Sequence, residues 1–223
     1  MRFVYPLITE EFETDKGYFN TIVIENQQLL SEIIEDIYNQ KNGNEGKAVV
    51  SEKYVPLPFS KNVEIIDRFM PLELNTKPVI NGVCSALERY ALNEENYSRT
   101  CRITAELEQY LYELSMEILC SISFGSVTIS SIIKHSGVEI DTNGSGIAEK
   151  LCEYIELVTE FDRKKLFFLI NMRSFVNDKD MENFIRTVLT HGYHVIAIEN
   201  HTYNKLINEK RIIIDSDMCE FPG

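Results

Sequence analysis

The side chains of this 223-residue chain that could do chemistry are clustered cations, closely spaced histidines and carboxylates at the ends of apolar runs. Arg163-Lys164-Lys165 enters one such run, Lys134 with His135 ends a helical segment, and Lys150 sits on the helix that follows. Cations so placed can neutralise phosphates, and they are equally ordinary partners of helix C-terminal carbonyls. His191, His194 and His201 fall within eleven residues, close enough for neutral imidazoles to ligate zinc or copper. No cysteine pair or HExxH accompanies them, His191 suits the last turn of a helix, and His194 alternates with apolar strand neighbours. Asp215 and Asp217 end a strand and could hold magnesium or calcium, but no third acidic ligand stands near them. No metal ligand set is assigned from these residues.

Nucleotide chemistry is tested at the first strand-to-helix junction, Ile24-Glu25-Asn26-Gln27. A phosphate cradle there would require GxxxxGK[ST], so that backbone N–H groups and a lysine meet the phosphates, and the chain contains no such motif. The strand KKLFFLIN ends in Asn171, where a magnesium-organising carboxylate would stand in a nucleotide-hydrolysing relative. Asn143-Gly144-Ser145-Gly146 opens a helix and could hold an anion, but it lacks the lysine and reads as a plain turn. GxSxG is absent and no cysteine has a base visible in the sequence. The expectation is a protein that is not an enzyme, has no nucleotide cofactor and works by binding.

Composition narrows the class. The five cysteines (Cys84, Cys101, Cys120, Cys152, Cys219) are odd in number, contain no CxxC and read as reduced, buried thiols of a cytosolic protein. MRFVYPLITEEF has no apolar signal core, and no run of 18 apolar residues exists, so neither secretion nor membrane spanning is expected. The formal charge of -13, from 35 acidic and 22 basic residues, argues against a phosphate backbone as partner unless the cations share one surface.

The elements that must position these residues follow from periodicity. Phe19 to Asn26 is a β-rich run, and Leu29, Leu30, Ile33, Ile34, Ile37 and Tyr38 recur at helical spacing before KNGNEG. Ala48-Val49-Val50 makes a short strand, Val55-Pro56-Leu57-Pro58 a rigid extended stretch, and Val63 to Phe69 a further strand. Helices are predicted over Pro78–Leu92 and Tyr97–Phe124, the second about 28 residues and about 40 Å long, read as a projecting arm. A short helix over Ser126–His135 closes this region at Gly137. The α/β texture resumes with Val138–Asp141, the turn Thr142 to Gly146 and a helix bearing Ile147, Leu151, Tyr154, Ile155, Val158 and Phe161. Strands at Lys164–Asn171, Tyr193–Asn200 and Arg211–Asp217 follow, the first two separated by a helix capped by Asn177 and stopped by Gly192. The expected fold is α/β: a discontinuous head, residues 1–70 and 138–223, on a mostly parallel sheet, a degenerate relative of nucleotide-binding folds, with an inserted α-helical leg over 71–137.

The start MRFVYPLITEEFE, the helix-closing IIKHSGVEID, the strand KKLFFLIN and the terminal RIIIDSDMCEF resemble, in order and spacing, the Csn-two family of small CRISPR-associated proteins of type II-A systems. The likeness is weakest over Lys77–Val127. The resemblance implies a homotetrameric ring in a bacterial cytoplasm with double-stranded DNA through its central hole, acting in spacer acquisition alongside the effector nuclease and the integration proteins. Residues carried over as DNA-binding are Lys134, Lys150, Arg163, Lys164 and Lys165. Where the family has a further lysine, this chain has Glu139, which would repel phosphate. The family also implies calcium bound by an acidic stretch, which here reads Glu117-Ile118-Leu119-Cys120-Ser121-Ile122-Ser123-Phe124-Gly125. One carboxylate is too few for an ion that wants six to eight oxygens. The alternative expectation is a protein-interaction module that recruits other adaptation proteins, with incidental DNA binding.

Overall fold

The computed structural model describes residues 1–141 and 144–223. The expected turn from Thr142 lies in part outside the described residues, at 142 and 143. Two compact units divide the chain: Met1–Glu73 with Thr142–Gly223, and Leu74–Asp141.

The larger unit is built on a six-stranded sheet in the order β10-β9-β3-β8-β7-β6. Its strands are β3 (Phe19–Ile24), β6 (Val63–Ile66), β7 (Leu166–Ile170), β8 (His194–Glu199), β9 (Glu209–Ile214) and β10 (Glu220–Pro222). All neighbours run parallel except β10, which pairs antiparallel with β9. β3 and β7 are buried at every residue, the pattern of strands covered on both faces. One face carries Ile22, Ile24, Phe168, Ile170, Ile196 and Ile198 into a core with Leu29, Ile33 and Ile37 of α1 (Gln27–Lys41). At roughly 1.5–3 kcal/mol per fully buried aliphatic or aromatic side chain, this layer is the main stabilising term of the unit.

A second, four-stranded antiparallel sheet, β2-β1-β4-β5, closes the same core. It consists of β1 (Arg2–Val4), β2 (Phe12–Glu13), β4 (Val49–Glu52) and β5 (Val55–Pro56). Phe3 meets Phe168 edge-on at 4.9 Å, which ties the small sheet to the large one. The stretch expected to be merely extended at Val55–Pro58 is a hairpin arm, followed by α2 (Phe59–Asn62). On the other face of the large sheet, α7 (Asp178–His191) packs on β3, with Phe184 against Phe19, and α6 (Ile147–Leu157) packs on α7. Asn177 caps α7 by accepting from Asp180 N at 3.0 Å, and Gly192 ends it at φ 69°. The helical run of α6 ends in a wider turn over Val158–Asp162.

The smaller unit holds α3 (Lys77–Ala91), α4 (Tyr97–Ser115) and α5 (Ile129–His135), with α3 against α5. The predicted 28-residue helix therefore stops at Ser115, after 19 residues and about 28 Å of rise. The N–H groups of Met116, Glu117 and Ile118 bond three residues back, and Ser115 Oγ donates to Tyr112 O at 2.6 Å, so the ladder tightens and closes. The β-branched, Ser- and Gly-containing residues that follow have low helix propensity. The chain then returns along α4, where Val127 N donates to Glu108 Oε1 at 2.8 Å. Ile118 and Ile122 keep helical spacing in the sequence without lying on a helix.

Val138–Asp141 forms no strand either. The Asn75 side-chain amide brackets Ile140, donating to its carbonyl at 3.2 Å and accepting from its N–H at 2.7 Å, and so holds this end within the helical unit. The thiols also differ from expectation. Cys101, Cys120 and Cys219 are exposed, because α4 buries only Thr100 and the other two lie on turns and irregular chain.

Candidate nucleic-acid interface

The carboxyl ends of the parallel strands are where a nucleotide-binding relative would hold phosphate. Here Glu25 follows β3, Asp67 follows β6, Asn171 follows β7, Glu199 ends β8 and Asp215 follows β9. Neighbours occupy these groups. Asn26 caps α1 by accepting from Leu29 N at 2.9 Å and donates to Ser216 O at 2.9 Å. Asn171, in the left-handed region at φ 56°, accepts from Asn200 N at 3.0 Å. Thr202 donates to Glu25 at 3.3 Å. Asp215 Oδ1 accepts from the N–H groups of Asp217 and Cys219 at 2.9 and 2.8 Å, so it serves as a turn cap. The crevice presents carboxylates and amides where a phosphate would need donors and a cation.

Glu199 is fully buried, and burial pushes its carboxyl up to about 7 against the lowering effect of Arg173. Its Oε1 accepts from Arg173 N at 3.1 Å, while Oε2 has no partner among the described residues. Sequence reading passed over this residue, whose one signal is an acid ending an otherwise apolar strand.

The histidines do not converge. His191 Nδ1 contacts Thr187 O at 2.9 Å, and the ring stacks on Tyr193. His194 Nδ1 contacts Thr14 Oγ1 at 2.8 Å, with burial lowering its pKa, and His201 Nδ1 contacts Asn200 Oδ1 at 2.5 Å. Among the described residues no three His, Cys, Asp or Glu side chains gather as a metal site. The stretch Glu117–Gly125, with one carboxylate, does not fit a calcium ion.

The five basic residues divide by environment. Lys134 is exposed on the last turn of α5, a helix begun by the reciprocal Thr128–Ser131 cap and stopped at Gly137, φ 70°. Glu139 follows two residues beyond Gly137. Lys150 is half-buried on the first turns of α6, and Arg163, exposed at φ 59°, ends the wide turn that prolongs α6. Those two stand at opposite ends of one helical run, about 20 Å apart at the usual rise. None of the three makes a salt bridge among the described residues. Lys164 and Lys165 are engaged at the amino edge of the sheet. Lys164 Nζ donates to Ser60 O at 2.6 Å, and Lys165 Nζ pairs with Glu52 at 2.8 Å, holding that carboxylate below its usual range.

A mostly parallel sheet covered by helices, without a phosphate loop, and a separate unit of helices make this an α/β protein whose fold alone assigns no function. Residues 40–218 match the family model described as CRISPR-associated protein (Cas_Csn2). The CRISPR-associated protein Csn2 of Enterococcus faecalis is 21% identical over 220 residues, covering 97% of this chain and 96% of that protein. The protein of the same name from Streptococcus agalactiae is 20% identical over 214 residues, covering 96% and 94%. The chain belongs to this family and is a CRISPR-associated protein. Among its described residues, no helix is long and apolar enough to cross a membrane.

Proposed function

We propose that this protein is a non-enzymatic, sequence-independent binder of double-stranded DNA that works as a homotetrameric ring in spacer acquisition, in the bacterial cytoplasm, with the effector nuclease and integration proteins of a type II-A system. The observation that carries the reading is that Lys134, Lys150 and Arg163, three of the five basic positions carried over from the family, make no salt bridge among the described residues, while the carboxyl ends of the parallel strands present carboxylates and amides. Unpaired cations release counterions from DNA without first breaking an internal pair, so they contribute more to affinity than Lys164 and Lys165. Phosphate contacts of this kind carry no base information. Self-association is supported by α4, where Ile103, Leu107, Tyr110 and Leu114 form one exposed apolar stripe.

The test is equilibrium binding to unrelated duplexes over a salt series. Affinity is expected to fall steeply with salt and to vary little with sequence. Binding that is insensitive to salt, or no binding, contradicts the proposal. The same apolar stripe favours a second reading, a protein-interaction module whose DNA contact is incidental. On that reading, charge reversal at Lys134 and Lys150 leaves spacer acquisition intact.

A further inference from the structure

The hairpin joining β4 to β5 turns through two residues, Lys53 at φ 49° and Tyr54 at φ 65°. Two-residue turns with both residues in the left-handed region are the property of Asn-Gly and Gly-Gly, because a β-carbon is strained there. Two long side chains at these positions are a local cost to the fold, and strain kept in this way accompanies sites of function. What the turn accomplishes is display. Tyr54 is 79% exposed, and the Arg2 guanidinium lies over its ring at 5.3 Å, leaving the ring's other face open.

Beside the ring is a cleft of about 250 Å³ lined by Arg2, Glu13, Asp15, Lys16, Lys53 and Tyr54. Arg2 pairs with Glu11, and Lys16 pairs with Glu13 at 3.2 Å. Lys53 makes no salt bridge or side-chain hydrogen bond among the described residues. Arg2 Nε is buried with no partner. At the foot of the hairpin, Lys165 reaches Glu52, so residues far apart in sequence converge on one side of the larger unit. An open aromatic face, unspent cationic donors and two carboxylate acceptors within one small cleft suit a ligand that is planar, anionic and rich in donors.

We propose that this cleft binds a nucleotide unit with an unstacked base: the base on the Tyr54 ring, the phosphate on Lys53 and Arg2, and sugar hydroxyls or base amino groups on Glu13 and Asp15. The unit is supplied either by a free nucleotide or by a single-stranded stretch of nucleic acid. The inference stands apart from the duplex reading, since bases within an intact duplex are stacked and cannot reach the ring.

The test is fluorescence anisotropy with a 5′-phosphorylated single strand of about 12 nucleotides, with a free nucleoside monophosphate as competitor and a blunt-ended linear duplex with G·C-rich ends as a separate ligand. Tyr54→Ala is expected to weaken single-strand binding about tenfold, Tyr54→Phe to preserve it, and neither to change affinity for the linear duplex. Competition by the monophosphate identifies the free nucleotide as a sufficient ligand, whereas its absence assigns the site to the strand. The double variant Lys53→Asn with Tyr54→Gly gives the turn its preferred residues, so it is expected to raise the thermal midpoint by about 4 °C while losing single-strand affinity. Unchanged single-strand binding in that more stable variant, or in Tyr54→Ala, overturns the proposal. Absence of linear-duplex binding with single-strand binding retained would instead count against the duplex reading alone.

Discussion

Glu199 at the end of β8 is a carboxylate in a place that does not solvate one. Its pKa in the fold, about 7, lies above the ordinary 4.5, so folding takes up a proton between those values. The stability it contributes is full below the ordinary carboxylate range and is lost as pH rises through about 7. Urea midpoints from pH 5 to pH 8 should therefore decline in the native protein, and Glu199→Gln should flatten that decline; an equal slope in both would refute the assignment. The basic residues make a second residue-scale case. The sequence marks Lys134, Lys150, Arg163, Lys164 and Lys165 as basic but is blind to the Ser60 carbonyl and the Glu52 carboxylate that engage two of them. Lys134→Ala should reduce the slope of log affinity against log salt by about 0.9, the loss of one phosphate contact, while Lys165→Ala should change it less.

At the scale of elements, legibility followed length and burial. β3, β7 and β8 are continuous apolar runs, and the caps at Asn177 and Gly192 are chemical signals with a mechanism, so each was readable. Asn177→Ala should cost about 1 kcal/mol in chemical denaturation, because Asp180 N loses its acceptor. β1, β2 and β5 have three, two and two residues, too few for alternation to register. The β4–β5 turn was hidden for the opposite reason, since Lys53-Tyr54 lacks the Asn and Gly that announce such a turn. Apolar spacing extends the predicted helix past Ser115 because Ile118 and Ile122 keep helical spacing in a segment that in fact folds back along α4.

For the molecule as a whole, a charge of -13 and a phosphate-binding role are compatible only if cations free of internal salt bridges, Lys134, Lys150 and Arg163 among them, meet the DNA while the carboxylates do not. A ring of identical copies would help to arrange this, because symmetry repeats each phosphate contact in every copy. Such an assembly would need an interface, for which the exposed apolar stripe on α4 is the proposed candidate. Replacing Leu107 and Leu114 together by aspartate should lower the sedimentation coefficient to that of a smaller species without unfolding α4, since both side chains are exposed in the single chain. An unchanged coefficient would place the interface elsewhere.

The claim on which the rest depends is that unpaired lysines hold duplex DNA through its phosphates. Affinity for one blunt-ended linear duplex, followed over salt for the native protein and for the Lys134→Glu, Lys150→Glu pair, addresses it directly. The account predicts a steep linear dependence of log affinity on log salt in the native protein, and both weaker binding and a shallower slope in the variant. Native binding that ignores salt, or a variant with the same affinity and slope, would contradict it.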